Sequence, residues 1–164
     1  MAAPFTVRRL RVSDLDRIMV IESASFGRLA YDRNLFAEYF NKSRGLFLVA
    51  ERSGRVYGYA LACISRGSAE LVSIAVEPAV RRRGAASALM ESLFRRVRRR
   101  GAAGLWLTVR TTNRAADLFY AKYGFERTRR VPRYYEDGAD GWRMVKRFRK
   151  RAGGGTSKKH DREV

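Results

Sequence analysis

One stretch of the sequence, residues 74–90, most constrains what this chain can fold into. It is an apolar run that breaks at Pro78, crosses three consecutive arginines, and continues from Gly84 as an amphipathic segment. This order predicts a strand, a tight turn and a helix. Because backbone N–H groups at a helix N-terminus have no intrahelical partner, a turn without bulky side chains there can bind a phosphate group. The alternative is an ordinary strand-to-helix connection in a very basic protein.

The rest of the chain predicts a mixed α/β (α+β) domain around this stretch. Strands are expected over residues 5–11, 46–52, 56–64, 69–76, 105–109, 125–131 and 142–148, and helices over 15–26, 33–41, 84–100 and 114–123. Turn residues between the second, third and fourth strands predict an antiparallel meander. The helix 84–100 connects two strands that should therefore be parallel, joined by a right-handed crossover. We expect one domain over residues 1–148 and a basic, disordered tail over 149–164.

Composition excludes several classes of function. Cys63 is the only cysteine and His160 the only histidine, so an internal disulfide, a zinc centre and a histidine-based triad are excluded, and no metal site is expected. The N-terminus has no apolar signal core, and no apolar run approaches the roughly 20 residues of a membrane span. We therefore expect a soluble, cytoplasmic protein. The net charge of +19 predicts attraction to polyanions such as RNA or ribosomes, although a solvated arginine face explains much of it.

Two motifs and their positions resemble the GCN5-related N-acetyltransferase (GNAT) family. Residues 81–86, RRRGAA, match its coenzyme A signature of Arg or Gln, two residues, Gly, one residue, and Gly or Ala. Residues 109–125, VRTTNRAADLFYAKYGF, and the tyrosine pair within residues 133–144 are similar to the subgroup that acetylates N-terminal α-amines, including the RimI-like ribosomal-protein alanine acetyltransferases. The resemblance covers residues 5–148. It implies a mostly antiparallel sheet of about seven strands, about four helices, and a splayed parallel pair at the cofactor site.

The resemblance implies that acetyl-CoA binds at residues 74–90. Coenzyme A carries several phosphates and needs exposed N–H groups and cations, which the turn supplies. The family pattern adds pantetheine binding by the strand backbone and a cofactor-contacting asparagine. The expected cofactor-binding residues are Ile74, Ala75, Val76, Arg81, Arg82, Arg83, Gly84, Ala85, Ala86, Ser87, Asn113 and Tyr120.

Tyr120 occupies the position of the family's general acid, counted from Asn113. A phenol with a reference pKa near 10 is protonated at neutral pH and can donate a proton to the leaving thiolate. The alternative is a core residue, because Ala116, Tyr120 and Tyr123 share one helical face. Asn113 would be present in either case as a helix N-cap.

The general base is the main departure from the resemblance. Thr108 stands where the bacterial subgroup usually has a glutamate, and a threonine cannot take a proton at neutral pH. An α-amine is roughly a tenth deprotonated at pH 7 and a lysine only about 0.04%, so a site without a strong base suits an N-terminal amine. Alternatively Glu22, a carboxylate on the apolar face of the first helix, acts through a water. A surface carboxylate paired with an arginine is equally compatible with the sequence.

Three tyrosines are candidates for substrate binding. Tyr31, Tyr134 and Tyr135 could close over a peptide N-terminus, or they could be packing residues of loops. The leading hypothesis is an acetyl-CoA-dependent N-acetyltransferase that acts on a protein N-terminal α-amine by direct attack in a ternary complex. The alternatives are a lysine or small-molecule amine acetyltransferase, and a catalytically weakened basic module associated with RNA or ribosomes. The oligomeric state stays open.

Overall fold

A seven-stranded mixed sheet organises residues 3–149, which are the residues that the computed structural model describes. The strands are β1 (Thr6–Arg9), β2 (Phe47–Arg52), β3 (Arg55–Ser65), β4 (Ser68–Val76), β5 (Gly104–Arg110), β6 (Glu126–Val131) and β7 (Gly141–Arg147), and the helices are α1 (Leu15–Phe26), α2 (Arg33–Lys42), α3 (Ala85–Arg99) and α4 (Arg114–Lys122). The strand order is β1-β2-β3-β4-β5-β7-β6, with every neighbouring pair antiparallel except β4 and β5. The predicted fold class is confirmed.

Two tight hairpin turns produce the predicted meander of β2, β3 and β4. Ser53 and Gly54 have φ values of 51° and 76°, and Arg66 and Gly67 have 52° and 76°. Positive φ at both central residues is typical of the primed turns whose twist matches that of the flanking strands. These short connections fix the antiparallel register of three neighbouring strands.

The parallel pair β4–β5 separates almost as soon as it forms. It is paired only at Ala69–Leu105 and Glu70–Trp106. On the other edge of β4, the register with β3 shifts, so that Val72 is an extra residue between the paired Leu71 and Ser73. A β-bulge of this kind bends a strand and increases its twist. Beyond the bulge, the edge of β4 that faces away from β3 lines an open cleft.

Two layers of helices cover the sheet unequally. The apolar stripe of α3 is buried against one face, through Leu89, Met90, Leu93 and Val97, and each such side chain stabilises the fold by about 1.5–3 kcal/mol. On the other face, α1 packs on β3, β4 and α2. Along β5, half-buried residues alternate with the fully buried leucines and valine of the α3 face. The face opposite α3 is therefore only partly covered at β5 and β7.

The first strand is shorter than predicted. It ends at Arg9 rather than Arg11, because the Asp14 carboxylate accepts the Arg11 N–H at 2.7 Å and turns the chain into α1. The same carboxylate pairs with the Arg8 guanidinium at 2.8 Å. The tail predicted for 149–164 lies, beyond residue 149, outside the described residues. Among residues 3–149, no helix is long and apolar enough to cross a membrane.

Candidate active site

A cleft of about 960 Å³ opens where β4 and β5 diverge, between the start of α3 and the helix α4. It brings together most of the residues predicted to bind the cofactor: Ile74, Ala75, Val76, Arg81, Arg82, Gly84, Ala86, Ser87, Asn113 and Tyr120. Two predicted residues lie elsewhere. Ala85 is buried at the start of α3, and Arg83 lines a separate cavity of about 440 Å³ beside Phe5 and Arg52.

Within residues 3–149, no side chain accepts a hydrogen bond from the first amides of α3. Gly84 is the N-cap, with φ 94°, and as a glycine it has no side chain that could cap the helix. Arg82 also has a positive φ of 63°, so two residues of the turn, Arg82 and Gly84, are left-handed. The helix dipole adds partial positive charge at the same place. This geometry fits a phosphate group.

The Arg81 guanidinium joins the turn to the rest of the cleft. Its Nε donates to the Val76 carbonyl at 3.3 Å, and its Nη2 donates to Ser25 Oγ at 3.4 Å. Arg81 therefore ties the end of β4 to the end of α1. No side-chain hydrogen bond of Arg82 is present within residues 3–149, and its charge remains available at the mouth of the cleft.

The opposite wall of the cleft is α4. The Asn113 side chain accepts the Ala116 N–H at 3.0 Å, which confirms Asn113 as the N-cap. Ser87 Oγ and Tyr123 Oη lie 2.8 Å apart in a hydrogen bond between α3 and α4. The Ser87 hydroxyl is thus engaged in holding the two walls together.

Tyr120 lies where the cleft meets the partly covered face of the sheet. Its ring packs edge-on against Phe119 and Phe125, with centroid distances of 5.2 and 5.7 Å. Burial raises the pKa of Tyr120 above its ordinary value, and the nearby Tyr135 and Tyr31 raise it further. Within the described part of the chain, its hydroxyl has no side-chain hydrogen-bond partner. At neutral pH it is a protonated donor without a competing acceptor.

Four tyrosines gather beyond Tyr120, and we call Tyr31, Tyr39, Tyr134 and Tyr135 the tyrosine cluster. Tyr31 follows α1, Tyr39 lies on α2, and Tyr134 and Tyr135 lie between β6 and β7. Tyr31 and Tyr134 are 36% and 43% exposed, which argues against a role as core residues. Electrostatic interactions link Tyr31 to Tyr39 and Tyr134, so residues remote in sequence share one region.

The loop carrying Tyr134 and Tyr135 is anchored to β5. The two rings stack edge-on at 4.9 Å, and the Tyr135 hydroxyl donates to the Thr108 carbonyl at 3.3 Å. The Arg110 guanidinium lies over the Tyr135 ring at 4.2 Å. Burial raises the pKa of Tyr135 to about 12. The loop is therefore fixed against the strand that carries Thr108.

Glu22 is buried, with only 1% of its surface exposed. The alternative of a surface carboxylate paired with an arginine is wrong. One carboxylate oxygen accepts the Tyr31 N–H at 3.0 Å, and the other accepts the Tyr59 hydroxyl. Tyr59 is also hydrogen-bonded to Ser73 on β4 at 2.8 Å. Burial raises the pKa of Glu22, and its contacts hold Tyr31 in place.

Thr108 has a cation beside it. Its Oγ1 accepts a hydrogen bond from Arg143 Nε at 3.1 Å, and the same guanidinium lies 4.1 Å from the centre of the Trp106 ring. Arg143 is directly opposite Thr108 in the β5–β7 register. The threonine hydroxyl is therefore an acceptor for an arginine.

Sequence reasoning missed three residues of this region: Tyr39, Glu70 and Arg143. Glu70 is a half-buried carboxylate on β4. One signal could have found it, because Glu70 interrupts an apolar run as Glu22 interrupts an apolar helix face. Arg143 gave no such signal in a chain this rich in arginine.

Comparison with known proteins identifies the family. The model of the acetyltransferase (GNAT) family matches residues 14–125. The chain belongs to the GNAT family. It is 31% identical over 158 residues to an N-alpha-acetyltransferase of Sulfurisphaera tokodaii, covering 86% of this chain and 92% of the relative. GNAT enzymes use acetyl-CoA, and this chain is accordingly an acetyl-CoA-dependent N-acetyltransferase.

Two solved GNAT structures have the same fold. Ard1 from Thermoplasma volcanium superposes with a TM-score of 0.83 at 28% identity, covering 90% of this chain and all of that one. The ribosomal-protein-S18-alanine N-acetyltransferase of Escherichia coli superposes with a TM-score of 0.77 at 27% identity, covering 92% of this chain and 98% of that one. The resemblance drawn from the sequence motifs is confirmed.

Proposed function

We propose that this GNAT enzyme acetylates the N-terminal α-amine of a protein by direct attack within a ternary complex. The observation that carries the proposal is the position of Tyr120 between a cleft that fits acetyl-CoA and a tyrosine cluster with two exposed members, Tyr31 and Tyr134. The relatives support it, since one is an N-alpha-acetyltransferase and one a ribosomal-protein-alanine N-acetyltransferase.

The residues of the cleft fit the cofactor. Acetyl-CoA supplies the thioester from which the acetyl group is transferred. The uncapped amides of α3 and the Arg82 guanidinium would hold the phosphates, and Arg83 would add charge from the neighbouring surface. The free edge of β4 at Ile74, Ala75 and Val76 would offer backbone hydrogen bonds to the pantetheine arm. An N–H of the same edge can stabilise negative charge that develops on the carbonyl oxygen.

Tyr120 would act as the general acid. Its phenol is kept protonated by burial and can donate its proton to the thiolate as the carbon–sulfur bond breaks. A positioned proton donor contributes about 10²–10⁴-fold to a reaction rate. The phenol recovers its proton from solvent after the product leaves.

The tyrosine cluster would bind the acceptor. The phenol hydroxyls of the partly exposed residues Tyr31 and Tyr134 would donate to the backbone carbonyls of an extended peptide, and Tyr135 would fix the loop. An α-amine, with a pKa near 8, exists at neutral pH with a far larger unprotonated fraction than a lysine side chain. The arrangement therefore favours a chain terminus.

Transfer to a panel of peptides tests the proposal. The full chain is incubated with acetyl-CoA and with paired peptides that carry either a free α-amine and no lysine, or a blocked N-terminus and one lysine. We expect acetylation of the first set, located by fragmentation mass spectrometry. Transfer only to lysine or to small amines would refute the α-amine assignment and favour the alternative acetyltransferase.

The positive charge of the chain favours an acceptor protein that is presented on the ribosome. Burial lowers the pKa of Arg96, and four neighbouring arginines lower it further. These neighbours are Arg9, Arg95, Arg99 and Arg100, so five arginines lie close together. Together with a net charge of +19, this cluster would attract ribosomal RNA in a salt-dependent manner. A cytoplasmic location, expected from the sequence, agrees with such a partner and stays a prediction.

A further inference from the structure

We propose that the cavity beside Phe5, Arg52 and Arg83 is a subsite for the 3′-phosphoadenosine end of coenzyme A. This inference rests on the proposed function, because it assumes that the pyrophosphate of the cofactor binds at the turn before α3. Phe5 and Arg52 lie outside the cofactor signature of residues 81–86, and Phe5 precedes residues 14–125, which match the GNAT model. The subsite is therefore not contained in the family motif.

The cavity adjoins the cofactor cleft at Gly84. This residue lines both spaces, the cleft of about 960 Å³ on one side and the cavity of about 440 Å³ on the other. In coenzyme A, the pyrophosphate joins the pantetheine arm to an adenosine that carries the 3′-phosphate. With the arm in the cleft and the pyrophosphate at the turn, the adenosine continues beyond Gly84. The volume of the cavity lies within the range of small-molecule sites, about 300–1,000 Å³.

Three segments at one end of the sheet build the cavity. Phe5 immediately precedes β1, Arg52 ends β2, and Arg83 lies in the turn before α3. Because β1 and β2 are antiparallel, with Thr6 opposite Glu51, the start of β1 and the end of β2 lie side by side. Residues that are remote in sequence thus surround one space next to the turn.

The Phe5 ring and the Arg52 guanidinium lie against each other. The central carbon of the guanidinium is 4.3 Å from the centre of the Phe5 ring and 5.4 Å from that of Tyr57, and the two rings meet edge-on at 5.9 Å. Phe5 and Arg52 are both partly buried. Purine bases stack on aromatic rings and on guanidinium groups. This pair therefore offers a binding surface for adenine.

The charge of the cavity suits a phosphate. Arg52 and Arg83 line it, and no carboxylate does so among the residues that the structure describes. Neither arginine forms a side-chain hydrogen bond or ion pair within residues 3–149, whereas the nearby Arg55 pairs with Glu77 at 3.5 Å. A phosphate monoester carries about two negative charges at neutral pH. Guanidinium groups bind phosphate oxygens through charge-assisted hydrogen bonds, so two arginines would neutralise the 3′-phosphate.

The test compares the binding of coenzyme A and of 3′-dephospho-coenzyme A to the full chain by calorimetry. These two ligands differ only in the 3′-phosphate. We expect the wild type to bind coenzyme A about tenfold more tightly, as for the gain of a hydrogen bond between charged groups. Arg52→Gln and Arg83→Gln should each reduce this preference about threefold, and the double variant should bind both ligands equally. Equal affinity of the wild type for both ligands would overturn the proposal.

Two control variants locate the 3′-phosphate. Arg55→Gln removes a charge at the same end of the sheet but outside the cavity, and it should keep the wild-type preference. Lys122→Gln removes a charge from the α4 wall of the cleft, the alternative location for the adenosine, and it should keep the preference as well. A preference that is lost in Lys122→Gln, or retained in the double variant of Arg52 and Arg83, would overturn the proposal.

A separate variant tests the adenine contact. Phe5→Leu keeps an apolar side chain but removes the ring, so it should weaken coenzyme A and 3′-dephospho-coenzyme A by the same factor, about fivefold. Binding of 4′-phosphopantetheine, which has no adenine, should not change when it is read by competition. The Tm of the unliganded variant checks that it folds. Equal weakening of all three ligands, or of none, would overturn the assignment of the adenine to this cavity.

The binding measurements separate this proposal from the proposed function. They include no acceptor, so a failure of the α-amine assignment leaves their result unchanged. Gly84→Val should weaken coenzyme A and its dephospho form by the same factor, because both contain the pyrophosphate. If it weakens neither, the placement of the pyrophosphate and the subsite both fail. If it weakens both while the double variant of Arg52 and Arg83 keeps the preference, only the subsite fails.

Discussion

The cofactor cleft and the tyrosine cluster meet at Tyr120 but are built in different ways. The cleft is made mainly by backbone: the free edge of β4, the left-handed turn at Arg82 and Gly84, and the uncapped start of α3. The tyrosine cluster is made by side chains from the connection between α1 and α2, from α2 and from the loop between β6 and β7. One continuous segment, residues 74–87, therefore makes one wall of the cleft, whereas tertiary packing assembles the whole tyrosine cluster.

Because of this difference, the two regions can change independently of each other. Backbone groups recognise phosphates and an extended arm whatever the acceptor is, so the cleft can stay constant while substrates change. Side chains on loops can be exchanged one at a time without disturbing the sheet. The identity of the acceptor amine should therefore depend on loop residues such as Tyr31 and Tyr134, and the affinity for acetyl-CoA should not.

The largest expected effect comes from the residue that the two regions share. Tyr120→Phe should lower kcat about 100-fold, because it removes the proton donor while the ring keeps its contacts with Phe119 and Phe125. The acetyl-CoA dissociation constant and the KM for peptide should change little. Tyr123→Phe is the control, since it loses only the hydrogen bond to Ser87. A kcat of Tyr120→Phe close to wild type would make Tyr120 a packing residue.

A smaller effect is expected from straining the backbone of the cleft. Gly84→Val places a β-branched residue at φ 94°, which costs about 1–2 kcal/mol or more, and it should weaken acetyl-CoA binding about tenfold. The KM for peptide should not change. Gly67→Val, at φ 76° in the β3–β4 turn, introduces similar strain far from the cleft. Calorimetry measures the acetyl-CoA affinity of both variants. Equal weakening in both would show that backbone strain lowers the affinity wherever it is introduced, and that Gly84 has no special role in the cleft.

The smallest expected effect is on the pH dependence of the free energy of unfolding, through Glu22 beneath the tyrosine cluster. Burial raises the pKa of Glu22 in the folded protein above its ordinary value of 4.5, so the folded state binds the proton more tightly than the unfolded chain. The stabilisation from protonated Glu22 is complete below pH 4.5 and is lost as the pH rises through the folded-state pKa. Relative to Glu22→Gln, the wild type should therefore lose free energy of unfolding as the pH rises above 4.5. Urea denaturation at several pH values measures this difference, and parallel curves would refute the shift.

The fold and the cofactor cleft could be predicted because their signals are local. Turn pairs such as Ser53-Gly54, the apolar stripe of α3 and the turn at Gly84 each lie within a few residues of sequence. The predicted cofactor residues that line the cleft come from three short segments. Their individual roles stay predictions, as do those of Tyr31, Tyr134 and Tyr135.

The rest depends on contacts between distant residues. That Glu22 holds Tyr31 requires Tyr59 of β3 to lie beneath α1, and that Arg143 faces Thr108 requires β7 to pair with β5. No pattern in the sequence specifies such pairings. Only the strand order shows that the Arg143 guanidinium lies beside Thr108, the position where a glutamate is missing.

The extra residue at Val72 resets the alternation of β4 between its two halves. In a regular strand, Glu70 and Ser73 would project from opposite faces of the sheet, because they are three residues apart. With Val72 inserted, Ser73 reaches Tyr59 on the same face from which Glu70 projects, and Ile74 and Val76 still enter the α3 core. Deleting Val72 would reverse the faces from which the side chains of one half of β4 project. Either Glu70 would then enter the apolar core, or the apolar residues of the cleft would face the tyrosine cluster.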